Sequence, residues 1–112
     1  MPNLSPALIL IFHALADPTR LAVVERLSTG PAATGELAKP FKMALPSFLQ
    51  HLDVLQKSGL VRSTKAGRVR TYELAPAAMR AAEDWMAKQR AVWEKRLDQL
   101  HSFLNDLKEK HG

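Results

Sequence analysis

Apolar and polar positions alternate along this chain with two different periods. From Ser5 to Gly59 the period is helical, from Leu60 to Leu74 it is that of strands, and from Pro76 it is helical again. The clearest amphipathic stretch is PSFLQHLDVLQKSGL, where Phe48, Leu52 and Leu55 stand at i, i+4 and i+7 and form one apolar stripe. Ser47, Gln50 and His51 occupy a different face, at i, i+3 and i+4. The spacing predicts a helix over 46–58 that ends at Gly59, because a left-handed cap costs glycine least.

Three helices precede it. The stretch 5–16, SPALILIFHALA, has Ser5 as cap and Pro6 at the first helical position. It is apolar nearly all round, and such a helix has to be covered on more than one side. Asp17-Pro18 repeats the cap-plus-proline start and opens a helix to Ser28, with Leu21, Val24 and Leu27 as its inner stripe and Gly30-Pro31 as its stop. Thr34 then caps a short helix around GELA, with Leu37 facing in, and Pro40 prevents it continuing.

After Gly59, LVRSTK and RVRTYEL read as two short strands joined through Ala66-Gly67, a hairpin over 61–74 with Tyr72 and Leu74 as inward anchors. Pro76 opens the last helix, which runs to about Lys110. Along it Met79, Met86, Trp93, Leu97, Leu100, Leu104 and Leu107 follow spacings of 7, 7, 4, 3, 4 and 3. From Trp93 onward this is an a/d seam, with Arg90 falling on its upstream extension. So long a helix outreaches a small globule, so a homodimer through the first and last helices is expected. Leu8, Phe12, Trp93, Leu97, Leu100 and Leu104 are its interface candidates.

Composition narrows the classes. A chain of 112 residues, 46% hydrophobic and 24% charged, fits one domain over 1–112, with a core at about 17–75 and dimerisation helices at 5–16 and 76–110. Without cysteine, disulfides, thiolate metal sites and thiol redox sensing are excluded. The opening MPNLSPALILIF carries an apolar run of six residues and no basic region before it, which is not the pattern of a signal peptide. No segment approaches the roughly 18 apolar residues of a membrane span, so no membrane partner is expected and a cytoplasmic location is.

Charge is informative once located. Residues 1–38 hold two Lys/Arg against three acids, and residues 73–112 hold seven of each. Residues 39–72 hold Lys39, Lys42, Lys57, Arg62, Lys65, Arg68 and Arg70 against Asp53 alone. The whole excess of +5 therefore comes from the middle third, the footprint of a polyanion binder.

Three helices, a polar-faced helix and a basic hairpin follow the order of a winged helix-turn-helix. The fold class expected is therefore mainly α with a small β-hairpin and long terminal dimerisation helices. LADPTRLAVVERLSTGP, GELA, QHLDVLQKSGLVRS and AGRVRTYEL, in that order and spacing, resemble the ArsR/SmtB family of bacterial repressors over about residues 10–75. The resemblance implies a homodimeric repressor that binds an inverted-repeat operator near its own promoter. It also exposes departures. GELAKPFKM offers none of the thiols the family often uses for metals. The family's Asp-x-His pair in the last helix is here Asp84 and Met86, and the positions of its partner pair are Leu97 and Leu100. In the reading helix Leu49 replaces the usual polar residue before Gln50, and Ala44 replaces the usual cap serine.

On double-stranded DNA, Gln50 is the expected base reader, since its amide can pair bidentately with adenine. Ser47 can meet a base or a phosphate, and His51 either the DNA backbone or a local hydrogen bond. Lys42, Lys65, Arg68 and Arg70 are the phosphate and minor-groove candidates, with Arg62 assigned to the wing base or an ion pair. No cofactor and no metal are expected. Glu94, Asp98 and His101 share a face at ligand-like spacing but read as a solvated charged face. Enzymatic activity is not expected either, because helical geometry turns Asp53 away from His51 and the scattered glycines form no phosphate loop. Two alternatives stay open: a small-molecule effector held between the first and last helices near Phe12, Trp85 and Trp93, and a degenerate winged helix that binds protein.

Overall fold

The computed structural model describes residues 5–111, with side chains as far as Lys110. The elements in chain order are α1 (Pro6–Leu15), α2 (Pro18–Leu27), β1 (Ala32–Ala33), α3 (Thr34–Ala38), α4 (Leu45–Lys57), β2 (Val61–Ala66), β3 (Val69–Leu74) and α5 (Pro76–His111). The chain divides into two compact units, one ending at Ala82 and the other beginning at Glu83.

Both cap-plus-proline starts form as the sequence predicts. Ser5 Oγ accepts from the Ala7 N–H at 3.2 Å, and Asp17 Oδ2 accepts from the Arg20 N–H at 3.0 Å. Each satisfies an amide that a helix start leaves without a partner. On α1, Ile11 and Ala14 are buried, Leu8 and Phe12 are half-buried, and Ile9 and Leu10 stay outside. On α2 Val24 and Leu27 are buried as expected, but Leu21 is not. Leu21 is 46% exposed, while Arg20, Val23, Val24 and Leu27 are buried at i, i+3, i+4 and i+7. Apolar spacing alone puts Leu21 inside, whereas a buried arginine holds that stripe's first position.

A second correction concerns Thr34. It is the first residue of α3, not its cap; the N-cap is Ala33, which has no side-chain acceptor. Glu36 Oε1 instead reaches back to the Ala33 N–H at 3.4 Å, and the Thr34 hydroxyl donates to the Arg70 carbonyl at 3.4 Å. Leu37 is buried as expected.

In α4, Phe48, Leu52 and Leu55 are each at most 1% exposed. Their burial contributes about 1.5–3 kcal/mol apiece and fixes which face the helix turns outward. The helix begins at Leu45, with Ala44 as an N-cap that makes no side-chain hydrogen bond, and Gly59 beyond its end has φ of 84°. Around that stripe gather Ile11, Val23, Leu27, Leu37, Leu60, Val61 and Tyr72, with Phe41 against Phe48 at a ring-centroid distance of 5.3 Å.

The sheet is antiparallel in the order β1-β3-β2. The hairpin was expected; β1 was not, because two alanines carry no readable period and depend on Thr71 and Tyr72 of β3 for pairing. Ala66 pairs with Val69, so the turn residues are Gly67 and Arg68. Only Gly67 has positive φ (63°), the type II′ pattern in which glycine takes the first central position and Arg68 stands at the tip.

The second unit is the stretch of α5 from Glu83 onward. Trp93 (63% exposed), Leu97, Leu100, Leu104 and Leu107 form its apolar seam, all exposed in a single chain. Among the described residues no single helix is long and apolar enough to cross a membrane.

Candidate nucleic-acid interface

With its apolar stripe anchored, α4 presents Ser47 and Gln50 to solvent. The one acid on this helix, Asp53, is matched by Lys57 at 2.9 Å, an i, i+4 pair that leaves the outward face without net negative charge.

His51 takes the local alternative. Its ring is 24% exposed, with Nδ1 3.1 Å from Arg20 Nη1 and 3.7 Å from Asp17 Oδ2. Arg20, which the sequence reading passes over, is the hub here. Its Nε donates to the Ala14 carbonyl at 2.7 Å and its Nη2 to the His13 carbonyl at 3.2 Å. Those are carbonyls of the last turn of α1, where the helix dipole favours a cation; the His13 carbonyl also accepts from the Ala16 N–H at 3.1 Å. Arg20 thus ties the end of α1 and the start of α2 to the middle of α4. The Arg20 N–H at the helix start holds the Asp17 carboxyl below its ordinary value, helped by the nearby His51 and the Arg20 charge. The sequence does carry one signal of this hub: Arg20 falls at the i position of the Val23, Val24, Leu27 stripe.

The wing meets α4 through side chains. Arg70 Nη1 donates to Ser63 Oγ at 2.8 Å, and Ser63 Oγ donates to Gln56 Oε1 at 3.3 Å. Arg62 pairs with Glu73 across the strands at 2.9 Å, the ion pair expected at the wing base. Lys65, by contrast, lies directly opposite Arg70 in the register. Like charges facing each other across a strand pair are unfavourable on their own. Of the seven basic residues in 39–72, Lys57 and Arg62 are matched by carboxylates. Lys39, Lys42, Lys65, Arg68 and Arg70 have no acidic partner among the described residues, and each is exposed. Beside the wing, Thr34, Gly35, Arg68 and Arg70 line a cleft of about 250 Å³. The structure thus places Ser47, Gln50, Lys65, Arg68 and Arg70 with Lys42 on the helix–wing unit, while His51 is turned into the domain.

In the second unit, Glu94 lies 3.8 Å from Arg90, and Asp98 and His101 are exposed. No three His, Cys, Asp or Glu side chains among the described residues converge on a point that could hold a metal ion.

Comparison with known proteins agrees with this geometry. A family profile described as a helix-turn-helix domain matches residues 15–64. The chain is 47% identical over 70 residues to the HTH-type transcriptional regulator Rv2034 of Mycobacterium tuberculosis, a match covering 62% of this chain and 65% of that protein. It is 34% identical over 88 residues to the arsenical resistance operon repressor of Escherichia coli, covering 73% of this chain and 75% of that protein. Among solved structures it is similar to an ArsR family transcriptional regulator, RHA00566, at 55% identity and a TM-score of 0.76, covering 79% of this chain and 97% of that one. An ArsR-like transcriptional regulator from Rhodococcus sp. RHA1 superposes with a TM-score of 0.72 at 29% identity, covering 84% of this chain and 89% of that one.

Proposed function

The chain belongs to the ArsR family of winged-helix DNA-binding transcriptional regulators, and from that premise we propose that it is a homodimeric repressor of an inverted-repeat operator. Gln50 and Ser47 address base edges in the major groove from the helix α4, and Lys42, Lys65, Arg68 and Arg70 neutralise phosphates around it. One observation carries this reading: Lys65 and Arg70 face each other in a wing that supplies neither with an acid. A polyanion supplies the missing negative charge.

Dimerisation rests on a separate observation. Five large apolar side chains of the second unit, Trp93, Leu97, Leu100, Leu104 and Leu107, lie exposed at a/d spacing on one helix. A second copy burying the same seam is the isologous solution expected of a two-fold oligomer. Two copies then present two reading helices to half-sites about one helical turn apart, roughly 34–36 Å, which is why the operator should be an inverted repeat. Such a regulator works in the cytoplasm, where the DNA is.

A mobility-shift assay with the DNA upstream of its own coding sequence tests the proposal. Nanomolar, salt-sensitive binding to a palindrome supports it. Equal affinity for random duplexes overturns sequence-specific repression in favour of non-specific binding.

A further inference from the structure

The face that α4 offers to DNA is not wholly polar. Leu45 is 52% exposed, Leu49 is 41% exposed, and Met43 just ahead of the helix is 36% exposed. Leu45, Leu49 and Gln56 fall at i, i+4 and i+11, one stripe along α4. The far end of that stripe, Gln56, is held to the wing through Ser63. The two leucines therefore lie on the side of α4 that turns toward the wing, in the half of the helix nearest its N-terminus, with Leu49 about 100° around the axis from Gln50. Leu52, at i+7 from Leu45 on the edge of this stripe that faces the core, is buried and keeps the helix from rolling to hide them.

Exposed apolar side chains on a helix flanked by cations without acidic partners gain from an apolar surface that a polyanion also carries. Within the major groove the only apolar feature of a base edge is the C5-methyl group of thymine. Resting on the DNA-binding reading above, we propose that Leu49, supported by Leu45, is a specificity-determining residue that reads a thymine methyl in each half-site. The reading helix then uses two chemistries: an amide at Gln50 for adenine and an aliphatic contact at Leu49 for a neighbouring thymine. No charge or proton moves, and the selectivity comes from apolar area removed from water.

Replacing thymine by uracil tests this, because it deletes the methyl and leaves every hydrogen-bonding atom in place. Bound duplexes are first selected from a randomised pool, and each thymine of the consensus is then replaced in turn. The wild-type protein should lose about fourfold in affinity for each half-site at one thymine position, the effect of exposing one methyl-sized group. Leu49→Ala, with its folding checked by thermal melting, should bind the thymine and uracil duplexes alike. Leu45→Ala, measured in parallel, should narrow the difference without abolishing it. Uracil tolerated at every position, or the same loss in Leu49→Ala as in the wild type, overturns the inference while the selected consensus keeps the DNA-binding reading intact. A pool that yields no consensus overturns both.

Discussion

Nη1 of Arg20 stands 3.1 Å from Nδ1 of His51, so a buried cation near the start of α2 sets a ring in the middle of the reading helix. A guanidinium has donors and no acceptor, so in this contact Nδ1 is the accepting atom. The contact fixes the rotation of α4 about its axis from the side opposite the wing, while Ser63 and Gln56 fix it from the wing side.

Arg20→Met should therefore cost more than its place near a helix start suggests. It leaves the Ala14 carbonyl without its guanidinium donor, takes one of two donors from the His13 carbonyl, which keeps the Ala16 N–H, and removes the nearer of the two partners of His51. A loss of about 2–4 kcal/mol in urea unfolding is expected, with weaker DNA binding at temperatures where the variant remains folded. Arg20→Lys should restore little of this, because a single ammonium cannot span acceptors arranged for a fork. A variant as stable as the wild type would show the hub to be dispensable.

Arg68→Ala combined with Arg70→Ala should leave the melting temperature nearly unchanged and lower DNA affinity strongly. The slope of log affinity against log salt should flatten by about two, one for each phosphate that the variant no longer neutralises. An unchanged slope would show that the wing does not meet DNA and would favour a protein-binding winged helix.

Leu100→Glu places a charge in the middle of the exposed seam of α5. It should raise the dimer dissociation constant by about a hundredfold, or ~3 kcal/mol, as read by sedimentation equilibrium. Affinity for the full palindrome should fall toward that for a single half-site. A wild-type protein that sediments as a monomer at micromolar concentration would overturn the dimer itself.

Acid stability should report on Asp17. Its carboxyl titrates below the ordinary value of 3.8, chiefly because it accepts from the Arg20 N–H. The unfolded chain thus takes up this proton first as pH falls, so the stabilisation is complete above about pH 4 and is lost through the lower folded-state value. Asp17→Asn keeps a capping side chain but removes the titration. Its deficit against the wild type should be constant from pH 5 to 7 and shrink below pH 4 in thermal melts; a deficit independent of pH would contradict this.

Much of this organisation is legible in the chain because its causes are local. Ser5-Pro6 and Asp17-Pro18 each carry a cap and a preset φ within two residues, and Phe48, Leu52 and Leu55 carry a helix face within eight. The hairpin announces itself through Gly67. What escapes depends on partners far along the chain. Strand β1 exists only because Thr71 and Tyr72 are there to pair with it, and the contact of His51 comes from a residue 31 positions away. Leu21 is misplaced because apolar spacing alone cannot foresee that an arginine will hold the buried position beside it. The cations of the interface are visible as a count, but which of them are already matched by acids, as Lys57 and Arg62 are, requires the folded register.

Lys65 facing Arg70 also shapes how the molecule responds to its buffer. Added electrolyte shields the two cations from each other and so makes the free hairpin firmer, while the same ions compete for the operator and loosen the complex. Heat tolerance and grip on the target should therefore run in opposite directions across a salt titration, and the tightest-binding solution should be the one in which the unliganded protein melts earliest.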